Sequence, residues 1–72
     1  MAESDDWKKR LKDEYAEISE RSYRLDHFIY SACTSDDEAV RSQLGLLEAQ
    51  LRIMDAYLII LGERARCAGI QL

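Results

Sequence analysis

Along the first half of the chain, Leu11, Tyr15, Ile18, Ser22, Leu25, Ile29 and Ala32 follow one another at alternating steps of four and three. That spacing keeps one stripe of an α-helix turned toward a partner helix. Trp7 extends the stripe by one turn. The second half repeats the rule with Val40, Leu44, Leu47, Leu51, Met54, Leu58, Leu61, Ala65 and Ala68. Two helices are predicted, each with one core-facing seam.

The residues at the ends of these stripes set the expected boundaries. Ser4 can cap the first helix, and Asp5 and Asp6 put negative charge in its first turn, where the helix dipole favours it. A break between Trp7 and Tyr15, leaving a short separate N-terminal helix, stays open, although no glycine or proline marks one. In "CTSDDE", Ser35 followed three residues later by Glu38 reads as a capping box, which predicts a second helix from about Asp36. Gly69 is the predicted stop. Gly45 and Gly62 lie inside the second stripe and cost helix stability. Close approach of another backbone would explain small residues there. The connection is short, so the helices must run antiparallel. The predicted fold is all-α, with residues 1–72 forming a single two-helix hairpin domain.

The second helix is apolar on more than one side. Stepping about 100° per residue places Leu46, Ile53, Tyr57 and Ile60 together, roughly 80° to 140° from the seam centre. One partner helix cannot cover both sides. A strip of this kind left in water marks an association surface. Burying one such side chain is worth about 1.5–3 kcal/mol, and a chain of this size has little core of its own. Self-association into a homo-oligomeric helical bundle is therefore the favoured expectation; an adaptor hairpin that binds a different protein through the strip is the alternative. Gln43, Gln50, Tyr57 and Arg64 recur every seven residues along the strip's edge. The glutamines read best as interface groups that fix register. For Tyr57 and Arg64 a ligand-binding reading is equally open.

Composition agrees with helices. Ala, Leu, Glu, Lys, Arg and Gln dominate, proline is absent, and few residues favour strands. The net charge of -4 argues against general attraction to DNA, RNA or an anionic membrane. It leaves room for a small phosphorylated ligand where a few arginines converge. No apolar run reaches the length of a membrane span and the charged N-terminus lacks a signal-peptide core, so the cytoplasm is expected. Cys33 and Cys67 fall at opposite ends of a predicted helix about 45 Å long. No disulfide spans that distance, and two free thiols fit a reducing compartment.

No catalytic set is visible in the sequence. The single histidine, His27, has no cysteine at zinc-ligand spacing, and phosphate-binding and nucleophile-elbow motifs are missing. Asp13, Glu14, Glu17 and Glu20 read as a solvated face with partners such as Arg21 one turn from Glu17. No enzyme, metal or cofactor is expected. Two segments suggest binding instead. "WKKRLKDEY" joins Trp7 and Tyr15 to Lys8, Lys9, Arg10 and Lys12, and "YRLDHFIY" lines up Tyr23, His27 and Tyr30 with Arg24 beside them. A nucleotide needs a ring for its base and a cation for its phosphate. The same residues on an amphipathic helix also serve as packing aromatics and solvated charges.

The order of residues adds to this. "DWKKRLKDEYAEISERSYRLDHFI", a short turn, then "LLEAQLRIMDAYLIILGERA" resembles the helical hairpin of phage anti-CBASS cyclic-nucleotide sponges. The same hairpin is similar to the N-terminal part of one class of anti-Thoeris sponge, whose second domain is not expected here. The resemblance rests on Trp7, Arg10, Leu11, Glu14, Tyr15, Leu25 and Phe28, then Gln50, Leu51, Met54, Tyr57, Leu61 and Arg64. It implies a small hexameric protein of the host cytoplasm, encoded by a phage. Such a protein would sequester cyclic dinucleotides such as 3′,3′-cyclic GMP-AMP, and in some members cyclic trinucleotides, without cutting them. By the same resemblance Tyr15 would stack on a base and Arg24 would bind a phosphate. Trp7 and Lys8 would complete that pocket, and Arg64, near Tyr57, would serve a second site between subunits. Ser22, Tyr23 and His27 depart from the family pattern.

Overall fold

Residues 2–72 are described by a computed structural model, with side chains from Asp6 onward, and the regular secondary structure among them is all α-helix. Helix α1 spans Ala2–Ala32, α2 is the single turn Glu38–Arg41, and α3 spans Leu44–Cys67. α1 and α3 pack against each other along a rod of 54 × 18 × 14 Å. α1 runs unbroken through Trp7–Tyr15, so there is no separate N-terminal helix. It begins at Ala2, ahead of the Ser4 cap expected above; the side chains of Ser4 and Asp5 lie outside the described ones.

The seams are the core. Leu11, Ile29 and Ala32 of α1 and Leu61 and Ala65 of α3 are buried, and every other residue of the two predicted stripes from Leu11 onward is half-buried. Three of them, Leu11, Leu61 and Ala65, form a cluster against which Tyr15 and Ile70 pack. Few side chains are fully enclosed, as a two-helix contact dictates: each helix offers the other one stripe and shows the rest to water.

The turn differs from the expectation in register. Asp37, not Ser35, caps the second helical segment, its carboxylate accepting from the Ala39 amide at 2.9 Å. Ser35 braces the cap by accepting from the Asp37 amide at 3.0 Å. The seam then crosses a discontinuity at Ser42 and Gln43, which separates α2 from α3. There the Gln43 amide bonds Val40, the three-residue pattern of a tighter turn, and both the Ser42 hydroxyl and the Gln43 side-chain amide donate to the Ala39 carbonyl. Gly45 therefore belongs to the first turn of α3 rather than a helix interior.

The C-terminal stop is as expected. Gly69 has φ of 70°, the Ile70 amide donates to Ala65 at 2.8 Å, and the Gly69 amide donates to Arg66 at 3.2 Å. This pair of bonds satisfies carbonyls that the helix end would orphan, and Ile70 adds the apolar contact that usually accompanies it. Added Cβ atoms at Gly45 and Gly62 would meet nothing within 4 Å, so no other part of the described chain approaches either.

Candidate functional site

The strip on α3 stays uncovered. Leu46, Ile53, Tyr57 and Ile60 are exposed, Leu46 to 75% and Ile53 to 69%. Ile59, on the other flank, is 67% exposed. α1 covers the seam alone, as one stripe must.

At the end away from the turn, the antiparallel arrangement sets Trp7 of α1 beside the last turns of α3. Together with Ile59, Ile60, Glu63, Arg64, Cys67 and Ala68, Trp7 lines an open groove of about 470 Å³. The wall is mostly apolar, and its charges are arranged unequally. Glu63 is held by Arg66 through a 2.7 Å ion pair, whereas Arg64 has no ion pair among the described residues. Lys8 lies 5.9 Å from the centre of the Trp7 ring, at the outer reach of a cation–π contact. Lys9, next along, donates to Asp13 at 2.8 Å, and that hydrogen bond and the Asp13 charge raise its pKa above the ordinary lysine value. The groove thus offers an aromatic ring, an apolar floor and a guanidinium that pairs with no acid among the described residues.

Of the residues singled out from the sequence, this groove unites Trp7 and Arg64, with Lys8 at its edge. Tyr57 follows Arg64 along the same line of α3, two turns closer to the hairpin's middle, and is 36% exposed. Tyr15 lies in the seam, half-buried against the Leu11, Leu61 and Ala65 cluster. Arg24 is exposed, 3.8 Å from Glu20 on its own helix. It sits about 25 Å along α1 from Trp7 at the rise of an α-helix, so a single chain does not bring the two together. Cys67 and Ile59 were not anticipated in the groove. Nothing in their spacing sets them apart, because they join it only through the position of Trp7 across the hairpin.

A second concavity, of about 420 Å³, opens at mid-hairpin on one flank of the seam, lined by Ser19, Ser22, Tyr23, Asp26, Leu51, Asp55 and Leu58. Ser22 donates to Asp55 at 3.1 Å. Tyr23 leans on His27 with ring centroids 4.4 Å apart. The readable signal for this notch was Ser22, a small polar residue at a seam position where its neighbours are Ile18 and Leu25.

Among the described residues no group of three or more His, Cys, Asp or Glu could hold a metal ion. Cys33 and Cys67 are both exposed free thiols. No helix among the described residues is long and apolar enough to cross a membrane.

Comparison with known proteins bears on what these surfaces do. A family model described as Sequestin matches residues 5–66. No curated protein and no solved structure matches the chain.

Proposed function

The chain belongs to the Sequestin family, and from that premise we propose that it binds and sequesters cyclic oligonucleotide second messengers without cleaving them. The ligand class we favour is cyclic dinucleotides such as 3′,3′-cyclic GMP-AMP, with cyclic trinucleotides as a second class. Holding the messenger away from its effector would block activation of a CBASS defence in the host cytoplasm. The observation that carries this reading is the groove that sets Trp7 against Arg64 while Glu63 is tied to Arg66. A base can stack on the indole, a phosphate can pair with the guanidinium, and the volume falls within the usual small-molecule range of about 300–1,000 Å³. Lys8 adds positive charge at the rim, which favours a dianionic ligand over a neutral one.

The protomer's groove is open, and a tight sponge needs more enclosure than one hairpin supplies. Copies of the chain, assembled through the strip as a homo-oligomer and by the resemblance a hexamer, would close it. They would also bring Tyr57, Tyr15 and Arg24 of neighbouring copies within reach of ligands that one protomer cannot span.

The test is calorimetric titration of the purified protein with 3′,3′-cyclic GMP-AMP, followed by heating and chromatography of the released nucleotide. The expected result is tight binding and recovery of unaltered ligand. Trp7→Ala and Arg64→Ala should each weaken binding at least tenfold, about 1.4 kcal/mol. Altered nucleotide in the eluate rules out a sponge. Failure to bind any cyclic di- or trinucleotide leaves the adaptor reading, which the exposed strip also supports.

A further inference from the structure

We propose that the mid-hairpin notch is a separate reading site for the donor edge of guanine, with Tyr23 as its wall and Asp26 and Asp55 as its acceptors. It stands apart from the groove at the helix ends; the choice of a nucleobase over another planar donor group, such as a guanidinium, rests on the proposed function.

The notch exists because the seam is underfilled there. Between Ile18 and Leu25 the stripe of α1 places Ser22, which is too small to fill the space facing Leu51 and Leu58. A larger apolar residue would close the gap and gain packing, so the vacancy costs stability and asks for another explanation. What lines it is directional. Ser22 donates to Asp55 at 3.1 Å and thereby fixes that carboxylate across the helix pair. It is the one side-chain hydrogen bond between α1 and α3 among the described residues. Asp26 contributes a second carboxylate from one turn further along α1. Neither is ion-paired among the described residues. The half-buried Leu51 and Leu58 give an apolar floor, and the Tyr23 ring, braced by His27 at 4.4 Å, supplies a face.

This chemistry selects its ligand by exclusion. Two carboxylates repel phosphate, so the occupant presents an uncharged or cationic part. An ionised carboxylate only accepts hydrogen bonds, so that part must carry adjacent donors. A flat group is needed to lie on tyrosine above leucines. Guanine has all three properties: a planar ring and, side by side on one edge, its N1–H and its exocyclic amino group. Adenine fails because its edge sets an acceptor beside its donor, which places a lone pair against the carboxylate. Such an analogue is disfavoured because its ring nitrogen meets the carboxylate lone pair to lone pair and forms one hydrogen bond fewer.

The experiment uses phosphate-free nucleosides, so that phosphate binding elsewhere does not contribute. Guanosine, inosine and adenosine are titrated into the whole protein while the Tyr23 ring and the Ser22 and Asp55 amides are followed by NMR. The expected result is that guanosine shifts these signals with a Kd at least tenfold below that of adenosine. Inosine, which lacks the exocyclic amine, should fall between. Asp55→Asn preserves shape and an acceptor for Ser22, and should weaken guanosine while strengthening adenosine, because its amide donates to the adenine ring nitrogen that the carboxylate repels. Ser22→Leu should fill the notch, raise the melting temperature and abolish the guanosine shifts. Equal affinity for guanosine and adenosine, shifts confined to the Trp7 and Arg64 groove, or no shift at the solubility limit would each overturn the proposal. A protein that binds cyclic GMP-AMP at Trp7 and Arg64 but ignores guanosine at Tyr23 keeps the proposed function and loses this site.

Discussion

The two sides of α3 are built from the same kind of residue and meet opposite fates. Leu58, Leu61 and Ala65 lie under α1, with Leu61 fully buried, while Ile53, Ile60 and Leu46 stand in water. Hydrophobicity alone does not separate them. Phase does: α1 is one stripe wide and covers the residues of α3 that share its repeat. The seam is thus the part of the apolar surface that the chain can satisfy by itself. The strip is the remainder, which α1 leaves in water.

The largest effect is expected at the buried side of α3. Leu61→Ala should lower stability by about 2–5 kcal/mol, the range for a buried leucine, as measured by urea unfolding. Its neighbour Ile60→Ala should stay within about 0.5 kcal/mol of the parent at protein concentrations dilute enough to separate the protomers. At high concentration Ile60→Ala should become costly, because association stabilises only the covered residue. A cost that is the same at all concentrations would place the cover within the protomer.

A stronger challenge to the strip is charge. Ile53→Glu combined with Ile60→Glu should convert an oligomer to a folded monomer in light scattering, with each lost burial worth about 1.5–3 kcal/mol. A parent that already scatters as a monomer would give the strip to a different partner. Tyr15 probes the border between seam and site. Tyr15→Ala should cost about 1–3 kcal/mol of stability, because the ring is half-buried on the Leu11 cluster, and Tyr15→Phe should cost little. If Tyr15 also stacks on a base, the alanine variant should bind at least tenfold more weakly at a temperature where it remains folded, about 1.4 kcal/mol. The smallest effect concerns Gly62. Space around it is open in the protomer, so Gly62→Ala should stabilise by about 0.8–1.0 kcal/mol in thermal melts. Loss of assembly on the same substitution would instead show a second copy's backbone close to that position.

The seam was legible because spacing is a property of the sequence alone. Each residue placed in the two stripes from Leu11 onward is buried or half-buried, and the Gly69 stop follows from a glycine's tolerance of positive φ at the end of the apolar stripe. The Glu17 and Arg21 pair also formed as its spacing suggested, at 2.7 Å. The turn was harder because three neighbouring polar residues compete for one cap. Ser35 and Asp37 both carry acceptors, and the structure uses Asp37 for the helix and Ser35 for the cap itself. The discontinuity before Leu44 depends on two side chains reaching the same Ala39 carbonyl, which spacing does not encode. For the candidate site, Trp7 and Arg64 could be named singly, but their meeting depends on the register of the hairpin. The notch is invisible to periodicity, which places Ser22 in the repeat without regard to the small volume of serine.

The cluster of Leu11, Leu61 and Ala65 has a consequence for the lifetime of the fold. It joins residues from opposite ends of the chain, so it closes a long loop. Loop entropy makes such a contact slow to form, while the turn end can pair early. A contact made after the barrier does not speed folding, but it must be broken before the chain escapes. Ile70, held onto that cluster by the bonds around Gly69, acts on the same step. Trimming Ile70 to alanine should therefore leave the refolding rate nearly unchanged and quicken unfolding, shortening the time a captured ligand stays inside an intact protein.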